Sequence, residues 1–202
     1  MRTIGLIVNP VAGMGGSVGL KGTDGDSYAR ALEMGAEPVS PARTREFLSH
    51  ITCRDEIRLL VAPGPMGADY AEAVGLDFEI VGSLTAQPAA EDTRRIAREM
   101  LQAGAELIAF AGGDGTARDI ADAVDLRLPV IAIPSGVKVY SSVFAYSPRA
   151  AAELLDAQPR LDVTHALIGN WHIGGGATGP VARGAAGGAA SQGLCRLSAL
   201  GR

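Results

Sequence analysis

The chain has 202 residues, 47% apolar and 20% charged, with a net charge of −4. That length fits one α/β domain with a sizeable core, or one domain and a short appendage, and the composition excludes a disordered chain. The acidic balance gives no global reason to expect a nucleic-acid partner, no stretch approaches the roughly 20 apolar residues of a membrane span, and Cys53 and Cys195 form neither a disulfide framework nor a zinc spacing.

The body predicts alternating strands and helices. Residues 3–8 (TIGLIV) form an apolar run that stops at Asn9-Pro10, as a buried parallel strand does. No small-residue cleavage site follows, so a first strand is expected and not a signal peptide, and the cytoplasm is the expected compartment. A Gly-rich loop runs from Asn9 to Gly25, and a helix is predicted over 26–35. A second helix is predicted over 41–51, with Ser40 as N-cap. A strand over 58–62, a short helix over 66–74 and a strand over 78–81 follow. The spacing of Ile96, Ala97, Met100 and Leu101 predicts a helix over 88–103, ended by Gly104. Next come a strand over 107–111, a turn at 112–116, a helix over 117–124 and a strand over 129–133. The last predicted helix spans 147–157, with Ser147 as N-cap and Pro148 at its first position. Apolar strands separated by helices predict an α/β fold: a parallel sheet covered by helices on both faces.

The remainder differs in kind. All 22 acidic residues lie at or before Asp162, so residues 1–162 carry a charge of −7 and the last 40 residues carry +3. Gly and Ala fill 17 of the 34 positions from Gly169 onward, with no periodicity. The expected division is an α/β domain over 1–160 and an acid-free segment over 161–202. Gly174, Gly176 and Gly179 spell a dinucleotide-type glycine pattern, but no acidic residue follows and no strand–helix frame surrounds it. The histidines support no catalytic arrangement.

Ligands of parallel sheets sit at the strand carboxyl ends, and three turns there carry polar chemistry. In LIAFAGGDGTARDIADAV, glycines let a phosphate reach backbone N–H groups, and a helix N-terminus adds donors and partial positive charge. Asp114 sits where a carboxylate repels phosphate, which makes sense if it ligates a metal or takes a proton from an attacking hydroxyl. The alternative is that Asp114 caps the helix and the glycines only make a tight turn. The loop NPVAGMGGSVGLKGTDG has six glycines in 17 residues. It fails the dinucleotide fingerprint at Val18 and lacks the Walker spacing. Lys21 could meet a phosphate and Asp24 a metal or ribose; the alternative is a plain surface loop. In IPSGVKVYSSVFA, Ser135, Lys138, Ser141 and Ser142 lie on the ligand side, or the segment is an ordinary connection.

At GGDGT, together with VGLKGTDG, GPMGAD, AEDTRRIAREM, PSGVKVYSSVFA and SPRAAAELL, residues 1 to about 157 resemble the ATP-NAD kinase superfamily. They are most similar to its branch described as ATP-NAD kinase-like or acetoin-catabolism protein X-like. The resemblance implies a Rossmann-like fold and phosphoryl transfer from ATP to the 2′-hydroxyl of NAD. It implies Asp114 as general base, and Gly112, Gly113, Gly115 and Thr116 lining the phosphate cleft with their backbones. It also implies Asn9 facing that cleft, Mg2+ arriving with the triphosphate, and nucleotides as the partners. The resemblance also implies a second, β-rich domain that carries the homo-oligomer interface in full-length relatives, and the expectation is that this chain lacks it after Asp162. From there one further expectation follows, that residues beyond about 163 are frame-shifted, and one alternative to the active kinase, that the chain is a truncated, non-catalytic nucleotide-binding fragment with weak or absent turnover. A lipid or sugar kinase sharing the GGDG turn is the remaining alternative. The identity of the metal ligands stays open.

Overall fold

The computed structural model describes residues 1–19, 26–84, 87–125, 127–136, 143–157 and 194–196. The apolar runs form strands β1 (Arg2–Val8), β2 (Ile57–Val61), β3 (Glu79–Ile80), β4 (Leu107–Gly112) and β5 (Pro129–Pro134). A sixth strand, β6 (Leu194–Arg196), comes from the segment without periodicity. The helices are α1 (Met14–Ser17), α2 (Asp26–Glu33), α3 (Ser40–His50), α4 (Ala68–Ala73), α5 (Ala90–Gln102), α6 (Asp114–Val124) and α7 (Pro148–Ala157).

The sheet order is β3-β2-β1-β4-β5-β6. The first five strands are parallel, with Leu6 opposite both Val61 and Ala109. Strand β6 runs antiparallel against Pro129–Ile131 of β5. Beyond it, Ala132 of β5 bridges to Phe144. The same edge of β5 is thus covered first by β6 and then by the chain leading into α7. This is the expected Rossmann-like α/β architecture.

Strand alternation sends side chains to two cores. Ile4, Leu6 and Val8 of β1 join Leu107, Ala109 and Ala111 under α3, α4 and α7. Ile7, Leu60, Ile108 and Phe110 face α5 and α6. Phe110 and Phe144 meet edge to face at 6.0 Å between ring centroids, a favoured aromatic geometry. Gly5 permits the close approach of α5, because a Cβ there would lie 2.9 Å from the Met100 sulfur.

The loop read over 9–25 contains the short helix α1, and of the element boundaries that differ from the sequence reading, three have a clear local reason. Helix α3 begins at Ser40, not after it. Ser40 is no N-cap; its hydroxyl donates to the Ala12 carbonyl at 3.2 Å, tying α3 to the loop after β1. Helix α6 begins at Asp114, three residues earlier than expected, because Gly113 stays extended as its N-cap and Gly115 takes up helical backbone in its first turn. The predicted helix over 66–74 splits into a tight turn at Gly64–Met66 and α4, with Gly67 between them. The Ser147 cap is as expected: its Oγ accepts the Ala150 N–H at 3.1 Å.

One long-range latch closes the α7 end. Asp156 accepts the Thr52 N–H at 3.1 Å, the Thr52 hydroxyl at 2.7 Å and the Cys53 N–H at 3.2 Å. Burial pushes the Asp156 carboxyl up, but the hydrogen bonds from Cys53 and Thr52 outweigh it and hold the group below its ordinary range. The neighbouring Cys53 thiol is pushed up to about 11 by burial and by Asp156. A depressed folded value means the latch contributes fully above the ordinary carboxyl value of 3.8 and is lost as pH falls below it. Asp156→Ala is therefore expected to lower stability by about 1–2 kcal/mol at pH 7, since this partly exposed carboxylate holds several hydrogen bonds. Urea unfolding at pH 7 and pH 3 checks it: the deficit should shrink at the lower pH, and an equal deficit at both would contradict the latch.

Candidate active site

In this strand order the chain leaves β1 toward β2 and leaves β4 toward β5, in opposite directions. The crevice between the carboxyl ends of β1 and β4 is the place where such sheets take ligands. Asn9, directly after β1, sits there. Its backbone N–H donates to the Ala111 carbonyl at 2.8 Å. Its Oδ1 accepts the Val11 N–H at 3.2 Å, an Asx-type turn that lets the chain bend away from the sheet. Its Nδ2 donates to the Thr116 hydroxyl at 3.1 Å. One amide thus joins the loop after β1 to the first turn of α6.

On the other side stands the turn after β4. Gly112 must be glycine for packing: a Cβ there would lie 2.5 Å from the Thr116 side chain. Gly113 and Gly115 differ, because a Cβ at either would meet nothing within 4 Å. Those two positions therefore keep open the space above the first turn of α6. Gly113 is the N-cap of α6 and makes no side-chain cap bond, so the reading of Asp114 as the cap is corrected: Asp114 is the first residue of the helix proper. The first N–H groups of a helix have no carbonyl four residues back and carry partial positive charge. A half-buried carboxylate in an anion-attracting turn is the unusual feature of the site.

Thr116→Val tests the tie across the crevice. Thr116 is 5% exposed, and the substitution keeps its shape while removing the acceptor for Asn9. The expected loss is about 1–3 kcal/mol, the cost of a part-buried amide left without its acceptor. Unchanged urea stability would show that the bond contributes nothing.

The third turn lies beside the second core face. Gly13, at φ +88°, packs on the turn after β5, where a Cβ would come within 1.8 Å of the Ser135 carbonyl oxygen. Ser135 itself is 1% exposed, and among the described residues its hydroxyl has no hydrogen-bond partner. Such an orphan costs about 1–3 kcal/mol. A cavity of about 220 Å³ opens here, bounded by the loop after β1, the turn after β5, α3 and the start of α7.

The structure thus gathers Asn9, Gly112, Gly113, Asp114, Gly115 and Thr116 at one crevice, and sets Ser135 beside Gly13 in a second recess. Lys21, Asp24, Lys138, Ser141 and Ser142 lie outside the described residues. Sequence reasoning missed Arg43 and Tyr146, which also line the recess. Nothing in PARTREF or FAYSP marks them; only the packing of α3 against α7 brings them together. Among the described residues, no three His, Cys, Asp or Glu side chains gather to hold a metal ion.

A parallel sheet with a glycine-rich, acid-bearing turn at its switch point defines an α/β protein with a candidate ligand crevice between β1 and β4. Residues 4–160, more than three quarters of the chain, match the family described as ATP-NAD kinase N-terminal domain. The chain belongs to the ATP-NAD kinase family, and at that level it is an NAD kinase-like phosphotransferase domain. No curated protein matches the chain. No helix among the described residues is long and apolar enough to cross a membrane.

Proposed function

We propose that this chain transfers the γ-phosphoryl group of ATP to the 2′-hydroxyl of the adenosine ribose of NAD, giving NADP and ADP. The observation that carries the reading is the placement of Asp114 at the head of α6, beside glycines with open space above them. In this reading the 2′-oxygen attacks the γ-phosphorus while its proton passes to the Asp114 carboxylate. The bond from the γ-phosphorus to the bridging oxygen breaks, and ADP leaves. The Gly113–Thr116 turn holds phosphate oxygens on its backbone N–H groups. Mg2+ fits the donor set as an ion carried by phosphate oxygens and at most a carboxylate such as Asp114; when bound it supplies charge neutralisation. Asn9 keeps the two halves of the crevice in register. Lys21, Asp24 and Lys138 complete the nucleotide contacts in the same reading.

The reading also sets the boundary of the α/β domain near residue 160, supported by the family match, which stops there, and leaves 161–202 as a separate segment. A cytoplasmic location accompanies it.

An acceptor panel tests the proposal. With ATP and Mg2+ supplied, NAD is expected to be phosphorylated, while diacylglycerol and free sugars are not. Preferential phosphorylation of a lipid or a sugar would assign the turn to another kinase chemistry.

A further inference from the structure

We infer that the recess between the loop after β1 and the turn after β5 is a second phosphate subsite, built by Ser135, Arg43 and the N-terminus of α7. The inference deepens the nucleotide reading and rests on it for the class of ligand. None of the residues of the Asp114 turn line this recess.

Four observations converge. The recess has a volume of about 220 Å³, ample for a phosphate group and its attached atoms. Ser135 lines it, is 99% buried, and carries the one buried side-chain oxygen without a partner among the described residues. Native proteins rarely leave such an atom unpaired without a functional reason. Arg43 lines the same recess from α3, and its one ion pair, to Glu46 at 3.3 Å, is a surface i,i+3 contact that a phosphate can replace. A guanidinium suits a phosphate because it offers paired N–H donors in one plane. Finally, the ten-residue helix α7 begins at the recess, where Ser147 and Pro148 line it and the helix dipole presents its positive end.

The other walls fit the same occupant. Gly136 and Gly13 bring backbone close without side chains in the way. Tyr146, 76% exposed, stands at the rim with an aromatic face for whatever the phosphate is attached to. Among the described residues, no carboxylate lines the recess.

The orphaned hydroxyl gives the test an unusual sign. Ser135→Ala removes an unpaired buried polar atom, so without ligand the variant should be more stable than the parent. With inorganic phosphate the order should reverse. We expect phosphate, titrated at constant ionic strength against chloride, to raise the melting temperature of the parent saturably. Ser135→Ala and Arg43→Gln should each weaken that binding about tenfold. Ser135 and Arg43 line the recess and not the crevice at α6, so their effect separates the two. ATP as competitor distinguishes the two sources of phosphate: displacement assigns the recess to a nucleotide phosphate, and additive binding assigns it to free phosphate or another phosphomonoester. No saturable phosphate effect in the parent, or phosphate affinity in Ser135→Ala and Arg43→Gln equal to the parent's, would overturn the inference. A failure of NAD phosphorylation with phosphate binding intact would instead count against the nucleotide reading alone.

Discussion

Asp114→Asn is expected to reduce NADP formation by roughly 10²–10⁴-fold, the usual contribution of a positioned general base. The amide has nearly the volume of the carboxylate, so the first turn of α6 should keep its geometry. Thermal and urea stability should stay close to the parent, because the amide keeps the size and place of the carboxylate at the first residue of α6. The loss should fall on kcat, since proton transfer occurs in the transition state while nucleotide binding rests on backbone N–H groups. A variant with full activity would remove Asp114 from the chemistry. A variant that unfolds would make it a structural residue.

Gly13→Ala should have the largest effect on stability. Gly13 holds φ +88°, where a side chain costs about 1–3 kcal/mol. The added methyl would also come within 1.8 Å of the Ser135 oxygen and 2.8 Å of the Val39 side chain. Backbone there cannot yield cheaply, because the Ser40 hydroxyl fixes the same loop through Ala12. Overpacking adds about 1–3 kcal/mol more. The combined loss, on the order of 2–6 kcal/mol, is a large share of the roughly 5–15 kcal/mol that holds a domain folded. Gly104→Ala is the control. Gly104 has φ +86° but nothing within 4 Å of an added Cβ, so only the backbone cost of about 1–2 kcal/mol should appear. Equal urea midpoints for the two variants would show that the loop after β1 is not pressed against the turn after β5.

Much of this was legible in the sequence because parallel strands write themselves as unbroken apolar runs. TIGLIV, LIAFA and PVIAI lie within a residue or two of β1, β4 and β5. The Ser147-Pro148 start of α7 was legible for the same local reason: a cap and a proline act on their own backbone. Boundaries set by distant contacts were not. Ser40 looks like a cap and instead bonds Ala12, 28 residues away. The start of α6 was missed because glycines weaken helix propensity, while the packing of Thr116 on Gly112 and its bond to Asn9 hold the turn. At the site, Asp114 and the glycines announced themselves by type and spacing, and Asn9 only through the family resemblance. The bond between Asn9 and Thr116 spans 107 positions and leaves no trace in either motif. Arg43 is an ordinary surface arginine until α3 is packed beside α7.

The most direct measurement of the central claim is the fate of phosphorus. Incubated with NAD, Mg2+ and ATP labelled at the γ-phosphorus, the chain should yield NADP that carries the label on its adenosine 2′-oxygen, and Asp114→Asn should yield little or none. Label released only as inorganic phosphate, or NADP formed equally by the parent and the variant, would contradict the account.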